Sequence, residues 1–437
     1  MALALQYPVG FQFVKVPDPL SGLNPTYPLT TVPVPAVGVP FFDSRFGTIK
    51  TRATQTDSYN SRHEYSRFDP FNVDQSMIVL PTTDGDWNVY RTQTMPYNTT
   101  ASLVRHFDMR EPRWDASNPT LLWGLEDFSI VTLDVQSDIK TVIKDFTADS
   151  TIGPIISANP VYWITTREEG ESSLDKRYWV FILQGDTVVY LFTWDRQLDQ
   201  VPGICQLSTV EADLVDYVGM SPLGNYAIIG ADPSDTATIA GLMMANRELT
   251  QLHKLGYAIG HSDVGLDSDG NEVIVGQNTW TDYIELTPID FSTSPVENPA
   301  GYGGSGCIPL IRLFYDNQSP YGFQSGVHIS CNYPGYAVVS TYIEPALPEQ
   351  NWLDRSIVLV KLNRVQPRVS YLAKVHNTTQ AYWEETHATI TNDGKKVVWA
   401  SNWDQNVGQE QMFLMQLDMP ANWSVGQATA TNWLLYP

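Results

Sequence analysis

Apolar and polar positions alternate in short runs along most of the chain, and the runs end at turns rich in Gly, Asp, Asn or Pro. In SDVGLDSDGNEVIVGQN (262–278) and HATITNDGKKVVWASN (387–402) a short strand, an Asp-Gly turn and a second apolar strand follow one another. The unit recurs as EYSRFDPFNVDQSMIVLPTT (64–83), RWDASNPTLLWGLE (113–126), GPIISANPVYWITTRE (153–168), DYVGMSPLGNYAIIGAD (216–232) and HISCNYPGYAVVSTY (328–342). Further strands lie between the units, among them IVTLDVQ, RYWVFILQ, TIAGLMMAN, SIVLVKLN and MFLMQLD. The repeat averages roughly fifty residues, in the range of propeller blades.

Seven units of about four strands predict an all-β fold, a seven-bladed β-propeller in which each sheet packs on its neighbours and ring closure leaves only short edges. A pair of β-sandwiches or a β-helix does not predict this unit seven times. Small residues in the first strands (Gly153, Ser157, Gly219, Ser221, Gly265, Ser330, Ala388) suit the crowded centre. The domain limits expected are an extended arm over 1–45, the propeller over 46–418 and a tail over 419–437. Within the propeller, 46–54 reads as an isolated strand able to close the last blade. The arm is rich in proline, which cannot pair regularly in a sheet, and is expected on the propeller's flank or against a neighbouring copy. Trp423, Trp433 and Tyr436 are the residues available to dock the tail.

Hydrophobic residues make up 43% of the 437 positions and charged ones 17%, enough apolar material for a large core. A formal net charge of −22 gives a field that repels phosphate backbones, so nucleic acid is not an expected partner. No segment has the length of a membrane span, and the start lacks a basic region, making it a poor signal peptide. An extracellular, cell-surface or virion location nevertheless suits the composition. Cys205, Cys307 and Cys331 have no metal-site spacing and are expected free in strands.

Four of the seven histidines, His63, His261, His328 and His387, stand at or just before the first strand of units one, five, six and seven. Those blades are consecutive on a ring, so the four imidazoles are expected along one side of the channel mouth. Converging neutral imidazoles can hold a divalent ion, with Mn²⁺, Zn²⁺, Fe²⁺ and Ca²⁺ as candidates. Gln324, Glu384, Glu385, Asp263 and Asp267 lie near them in sequence as further ligands or orienting groups. His106, His253 and His376 fall between units and read as surface residues. The loops after the second strands carry Trp87, Trp280, Trp352 and Trp403, three of them directly after Asp86, Asn351 and Asn402. An aromatic face beside an acid or amide is what a pyranose ring requires. A histidine is a natural base beside a carboxylate, and the developing enolate needs a cation. Arg62, Arg67 and Arg113 are the cations placed for it, with Tyr65 as proton donor. A structural histidine at each inner strand, and tryptophans that only cap the interblade core, are the plainer alternatives.

The stretches HEYSRFDPFNVDQSMIVL, GHSDVGLDSDGNEVIV, HISCNYPGYAVVSTY and THATITNDGKKVVWASNW resemble bacterial seven-bladed propellers related to oligogalacturonate lyases. The Asp-Gly turn before an apolar strand is shared with TolB-like propellers. The resemblance runs from about residue 60 to 418. It implies a divalent metal held by several histidines and a glutamine, and β-elimination on a uronate with an arginine or histidine base. On this chain that set is His261, His328, His387 and Gln324, with His63 and Arg67 facing the substrate. The lyases' closely spaced histidine pair has no counterpart here, since Ala388 and Thr389 follow His387. The expected function is therefore a polysaccharide lyase cleaving a uronate-containing glycan by β-elimination, and the expected partner is an acidic or neutral glycan. The alternatives are a non-catalytic propeller of a virion, appendage or cell-surface assembly, joined to its neighbours through residues 1–45, and a glycan- or protein-binding module.

Overall fold

The structure, a computed structural model, describes residues 5–20, 24–29, 31–56, 61–257, 261–278, 283–293, 306–313, 325–343, 352–405 and 412–424. Among them are seven antiparallel sheets, arranged as the blades of one propeller. Blade 1 holds Met77–Pro81, Trp87–Arg91 and Leu103–Phe107, with residues 65–71 as an irregular inner segment bridged from Phe71 to Ile78. Blades 2 to 5 each have four strands in chain order, beginning at Arg110–Trp114, Val161–Thr165, Val215–Met220 and Ser262–Leu266. Blade 6 runs from Ser325–Ser330 to Arg368–Lys374. Blade 7 runs from Thr389–Ile390 through Lys396–Ser401 to Phe413–Asp418.

The fourth strand of blade 7 comes from the other end of the chain. Ile49–Arg52 pairs antiparallel with Phe413–Asp418, Leu417 opposite Lys50. Thr389 Oγ1 donates to the carbonyls of Tyr65 and Ser66, both at 3.1 Å, and Asn392 N donates to Asp69 Oδ2 at 2.7 Å. Blades 7 and 1 are thus held by side chains as well as by packing.

The apolar residues form seven buried clusters, one at each interface between neighbouring blades. This follows from the period of two in the strands: each sheet buries both faces, one against each neighbour. Small residues line the centre for a steric reason. A Cβ on Gly265 would stand 2.6 Å from the Cβ of Cys331 in the next blade.

One expectation is corrected here. The segment around Gly153 and Ser157 is not an inner strand but a short helix, Ile152–Ala158, and blade 3 begins at Val161. Asp149 Oδ1 accepts from Thr151 N and Ile152 N, and Pro154 falls in the first turn, where its missing N–H costs no helical bond. RYWVFILQ therefore becomes the second strand of blade 3, Tyr178–Gly185. The proline-rich segment, expected on the propeller's flank or against a neighbouring copy, lies where described along blades 6 and 7 of its own chain. Val14–Lys15 pairs outside Arg368–Lys374, and Phe41–Phe42 pairs outside Ile49–Arg52. Trp423 packs on Tyr336 and donates Nε1 to Gly394 O at 2.8 Å, while Trp433 and Tyr436 lie outside the described residues. Cys205, Cys307 and Cys331 are not joined in disulfides. No helix among the described residues is long and apolar enough to cross a membrane.

Candidate functional site

The four singled-out histidines meet at one end of the channel, where the first strands begin. The rings of His261 and His328 have centroids 4.7 Å apart, and those of His328 and His387 are stacked at 4.0 Å. His63 reaches the same point from blade 1, its Nε2 lying 2.5 Å from the carbonyl oxygen of His387. Tyr65 stands under the group, 5.5 Å from His328 and 5.2 Å from His387 by ring centroids, with its hydroxyl 3.4 Å from His261 Nδ1.

The hydrogen bonds decide which nitrogens are free. A carbonyl oxygen can only accept, so His63 carries its proton on Nε2 for His387 O, and His387 carries its own on Nε2 for Tyr382 O at 3.0 Å. His328 Nε2 is 2.5 Å from Glu385 Oε2, and an ionised Glu385 takes the proton there too. Each ring is left with a bare Nδ1, and all three Nδ1 atoms are buried without a hydrogen-bond partner. This is the pattern of metal-binding imidazoles, in which the second nitrogen donates to a carbonyl or carboxylate and fixes the tautomer. His328, Glu385 and His387 each offer a ligand atom within 4.8 Å of the others.

Burial fixes the charge. It lowers His63 and His261 to about 4 and His328 and His387 well below the ordinary imidazole value, so all four rings are neutral at pH 7. Burial likewise raises Glu385 to about 7, against a hydrogen bond from Tyr342. The Tyr65 hydroxyl is pushed up by burial and stays protonated. Arg67 is also buried, but Tyr217, Glu169 and Tyr65 outweigh the desolvation and hold it charged. Its guanidinium lies 3.1 Å from Glu169 Oε2, 4.1 Å from the Tyr217 ring centroid and 5.9 Å from that of Tyr65.

Local structure explains the convergence. His387 has φ +45°, a left-handed conformation that costs a non-glycine residue about 1–2 kcal/mol. The preceding 3-10 turn Tyr382–Glu384 is held by Glu384 Oε2, which accepts from Gln380 N at 2.6 Å and Ala381 N at 3.1 Å. Asn377 Nδ2 donates to Glu384 O and Ala400 O and locks this turn to blade 7.

This turn carries an aromatic entrance that the strand pattern gave no reason to expect. Tyr382 and Trp383 are 41% and 36% exposed, and both pack on His387. The Arg62 guanidinium, lowered to about 10 by burial, covers the Trp383 ring at 4.1 Å. The tryptophans expected to stack sugars are elsewhere. Trp87, Trp352 and Trp403 are buried in interblade cores, with Trp87 Nε1 donating to Met109 O and Trp403 Nε1 to Val32 O. Their positions in the chain matched the site, but the alternation of the strands turns their rings between blades. Trp280 and Gln324 lie outside the described residues.

With this geometry, similarity can be weighed. No protein-family model and no curated relative matches the sequence. Among solved structures, oligogalacturonate lyase from Vibrio parahaemolyticus superposes with a TM-score of 0.56 at 11% identity, covering 88% of this chain and 97% of that one. An oligogalacturonate lyase in complex with manganese gives 0.57 at 11% identity, covering 90% and 98%. The chain shares their seven-bladed fold. That likeness concerns architecture and leaves the chemistry to this chain's own residues.

Arg113, grouped with Arg67 in the sequence, touches none of the four histidines among the described residues. It donates to Glu64 Oε2 at 2.9 Å and Glu168 O at 2.8 Å, and lines the channel beyond Arg67. Of the acids considered, only Glu385 joins the cluster. Glu384 serves its own turn, Asp267 is bound by Asn271 and Arg364, and Asp263 accepts from Cys331 N and Val264 N. His376 is not a surface residue: it is buried and stacked on Trp403 at 4.3 Å.

Proposed function

We propose that the chain is a polysaccharide or oligosaccharide lyase that cleaves a uronate-containing glycan by β-elimination at the histidine end of the channel. The observation that carries this reading is the buried group of His328, Glu385 and His387, whose ligand atoms lie within 4.8 Å of one another, with the Nδ1 lone pairs of His328 and His387 unpartnered. His328, His387 and Glu385 would hold a divalent ion, which would supply positive charge to the uronate carboxylate and so acidify the neighbouring C–H. Arg67 adds a second fixed charge from below.

His261 is the least enclosed of the four imidazoles and takes the proton on Nδ1. Tyr65, kept protonated by burial, gives its hydroxyl proton to the departing glycosidic oxygen. The C–H and C–O bonds break as the ring double bond forms. His261 then returns its proton to the Tyr65 oxygen across their 3.4 Å contact, which restores the starting state. Trp383 and Arg62 receive the sugar at the entrance, where the exposed indole offers a face to pyranose C–H groups.

One feature favours a second reading, in which the ion is purely structural. His328 and His387 are almost completely buried, so a metal held by them and Glu385 would pin blades 6 and 7 together in a non-catalytic glycan-binding or assembly propeller. Incubation of metal-loaded protein with a panel of oligouronides, followed by ultraviolet absorbance of the unsaturated product, separates the two. Lyase activity lost on Tyr65→Phe with metal content unchanged supports elimination. Bound metal with no product from any uronide removes the lyase and leaves the structural ion.

A further inference from the structure

The opposite end of the channel carries a site of its own. There, turns joining the first and second strands of all seven blades enclose a cavity of about 690 Å³, within the size range of small-molecule pockets. Its inner limit is Arg67, which separates it from the histidines.

The turns repeat one conformation. Gly224, Gly270 and Gly394, at φ +74°, +84° and +67°, donate N–H back to Ser221, Asp267 and Thr391. In blade 3 the same place is held by Lys176, at φ +57°, with its N–H on Ser173 O at 2.8 Å. In blade 1 it is held by Gln75, whose amide binds Asp393 Oδ1 at 2.6 Å and so ties the ring closed. Lys176 has no such hydrogen-bonded tie among the described residues, and its ammonium lies over the Trp179 ring at 5.9 Å. It is 8% exposed and lines the cavity, and among the described residues no carboxylate lies within ion-pair distance of its ammonium.

A buried cation in a left-handed conformation, where three other blades use glycine, calls for a compensating contact. Burial lowers the Lys176 pKa, Glu171 opposes this from a distance and the nearby Arg113 cation lowers it further. The acids of the same wall have other partners: Asp69, Asp115 and Asp263 each accept two backbone N–H groups, Glu169 pairs with Arg67 at 3.1 Å, Glu171 lies 3.9 Å from Arg113, and Asp393 accepts from Gln75 at 2.6 Å. The Lys176 ammonium is thus left with the Trp179 ring, 5.9 Å away, and no ion-paired carboxylate among the described residues.

We propose that this turn-side cavity is a second ligand site, which takes a small anion through a carboxylate or phosphate group held by Lys176 with support from Arg113. The anion relieves both the desolvation of the ammonium and its repulsion by the guanidinium. The site is independent of the lyase reading, because it uses none of the four histidines.

The test is calorimetric titration of the full chain in EDTA with D-galacturonate and, separately, inorganic phosphate, for wild type, Lys176→Gly and Lys176→Gln. Saturable binding of at least one probe by wild type, weakened tenfold or more in both variants, is expected. Lys176→Gly should at the same time melt no lower than wild type, since glycine suits this turn. Galacturonate alone would identify a carboxylate site, phosphate alone a phosphate site, and both a general anion site. Absence of binding by wild type, or equal binding by wild type and Lys176→Gly, would overturn the proposal.

Discussion

The two ends of the channel are made from the two ends of the same inner strands, and they are opposites in charge. At the histidine end burial leaves imidazoles neutral, with protons anchored on oxygen and lone pairs bare, which suits a cation. At the turn end burial encloses an ammonium with no partner carboxylate, which suits an anion. Desolvation acts alike at both; what differs is whether an oxygen acceptor was placed beside each donor. Arg67 stands between them, and its charge acts on His261 at one end and Asp263 at the other.

The largest expected effect breaks one end alone. His328→Ala should weaken binding of Mn²⁺ or Zn²⁺ by about 100-fold or more, and Glu385→Gln by about 10- to 100-fold, while anion binding at Lys176 is unchanged. Metal analysis after dialysis, paired with anion titration, checks both halves.

Next come the aromatics. Trp403→Ala should destabilise the fold by about 3–5 kcal/mol through an interblade cavity. Trp383→Ala should move stability by only about 0.5 kcal/mol but weaken oligouronide binding. Urea melts beside binding curves would show whether the ring at the entrance, and not the ring in the core, meets the ligand.

A pH series sharpens the claim of neutrality. The folded pKa of His63, near 4, lies below its ordinary 6.5. Its contribution is therefore present above pH 6.5 and lost as pH falls toward 4. In EDTA the stability gap between wild type and His63→Gln should narrow by about 3 kcal/mol across that window. A gap independent of pH would mean that the ring is not held neutral. The smallest effect is Lys176→Gly, expected to stabilise by up to about 1 kcal/mol as the left-handed strain is released.

Most of the architecture could be read in the sequence because blades 4 to 7 begin with a hairpin whose turn chemistry is unambiguous, as at Gly224, Gly270 and Gly394. Blade 3 misled for a local reason: GPIISAN is a short apolar run that fits a strand or a helix. The decisive sign was Asp149 capping a turn that contains Pro154. The histidines were legible because a ring makes blades 5, 6, 7 and 1 consecutive. The tryptophans were not, since sequence placed them in the right loops without giving the direction of their rings. Tyr382 and Trp383 escaped notice because they sit in a 3-10 turn with no strand periodicity. The one available hint was their closeness to Glu385 and His387.

The strand Ile49–Arg52, paired with Phe413–Asp418, makes the first and last parts of the chain mutually dependent. Such sequence-distant pairing is slow to form and cannot begin until the ribosome has delivered the final blade. His63 finds its acceptor on His387 across that same closure, so a nascent or C-terminally clipped chain would have neither the ring nor the imidazole cluster. The closed ring and its histidine cluster therefore arrive together, in a single late step.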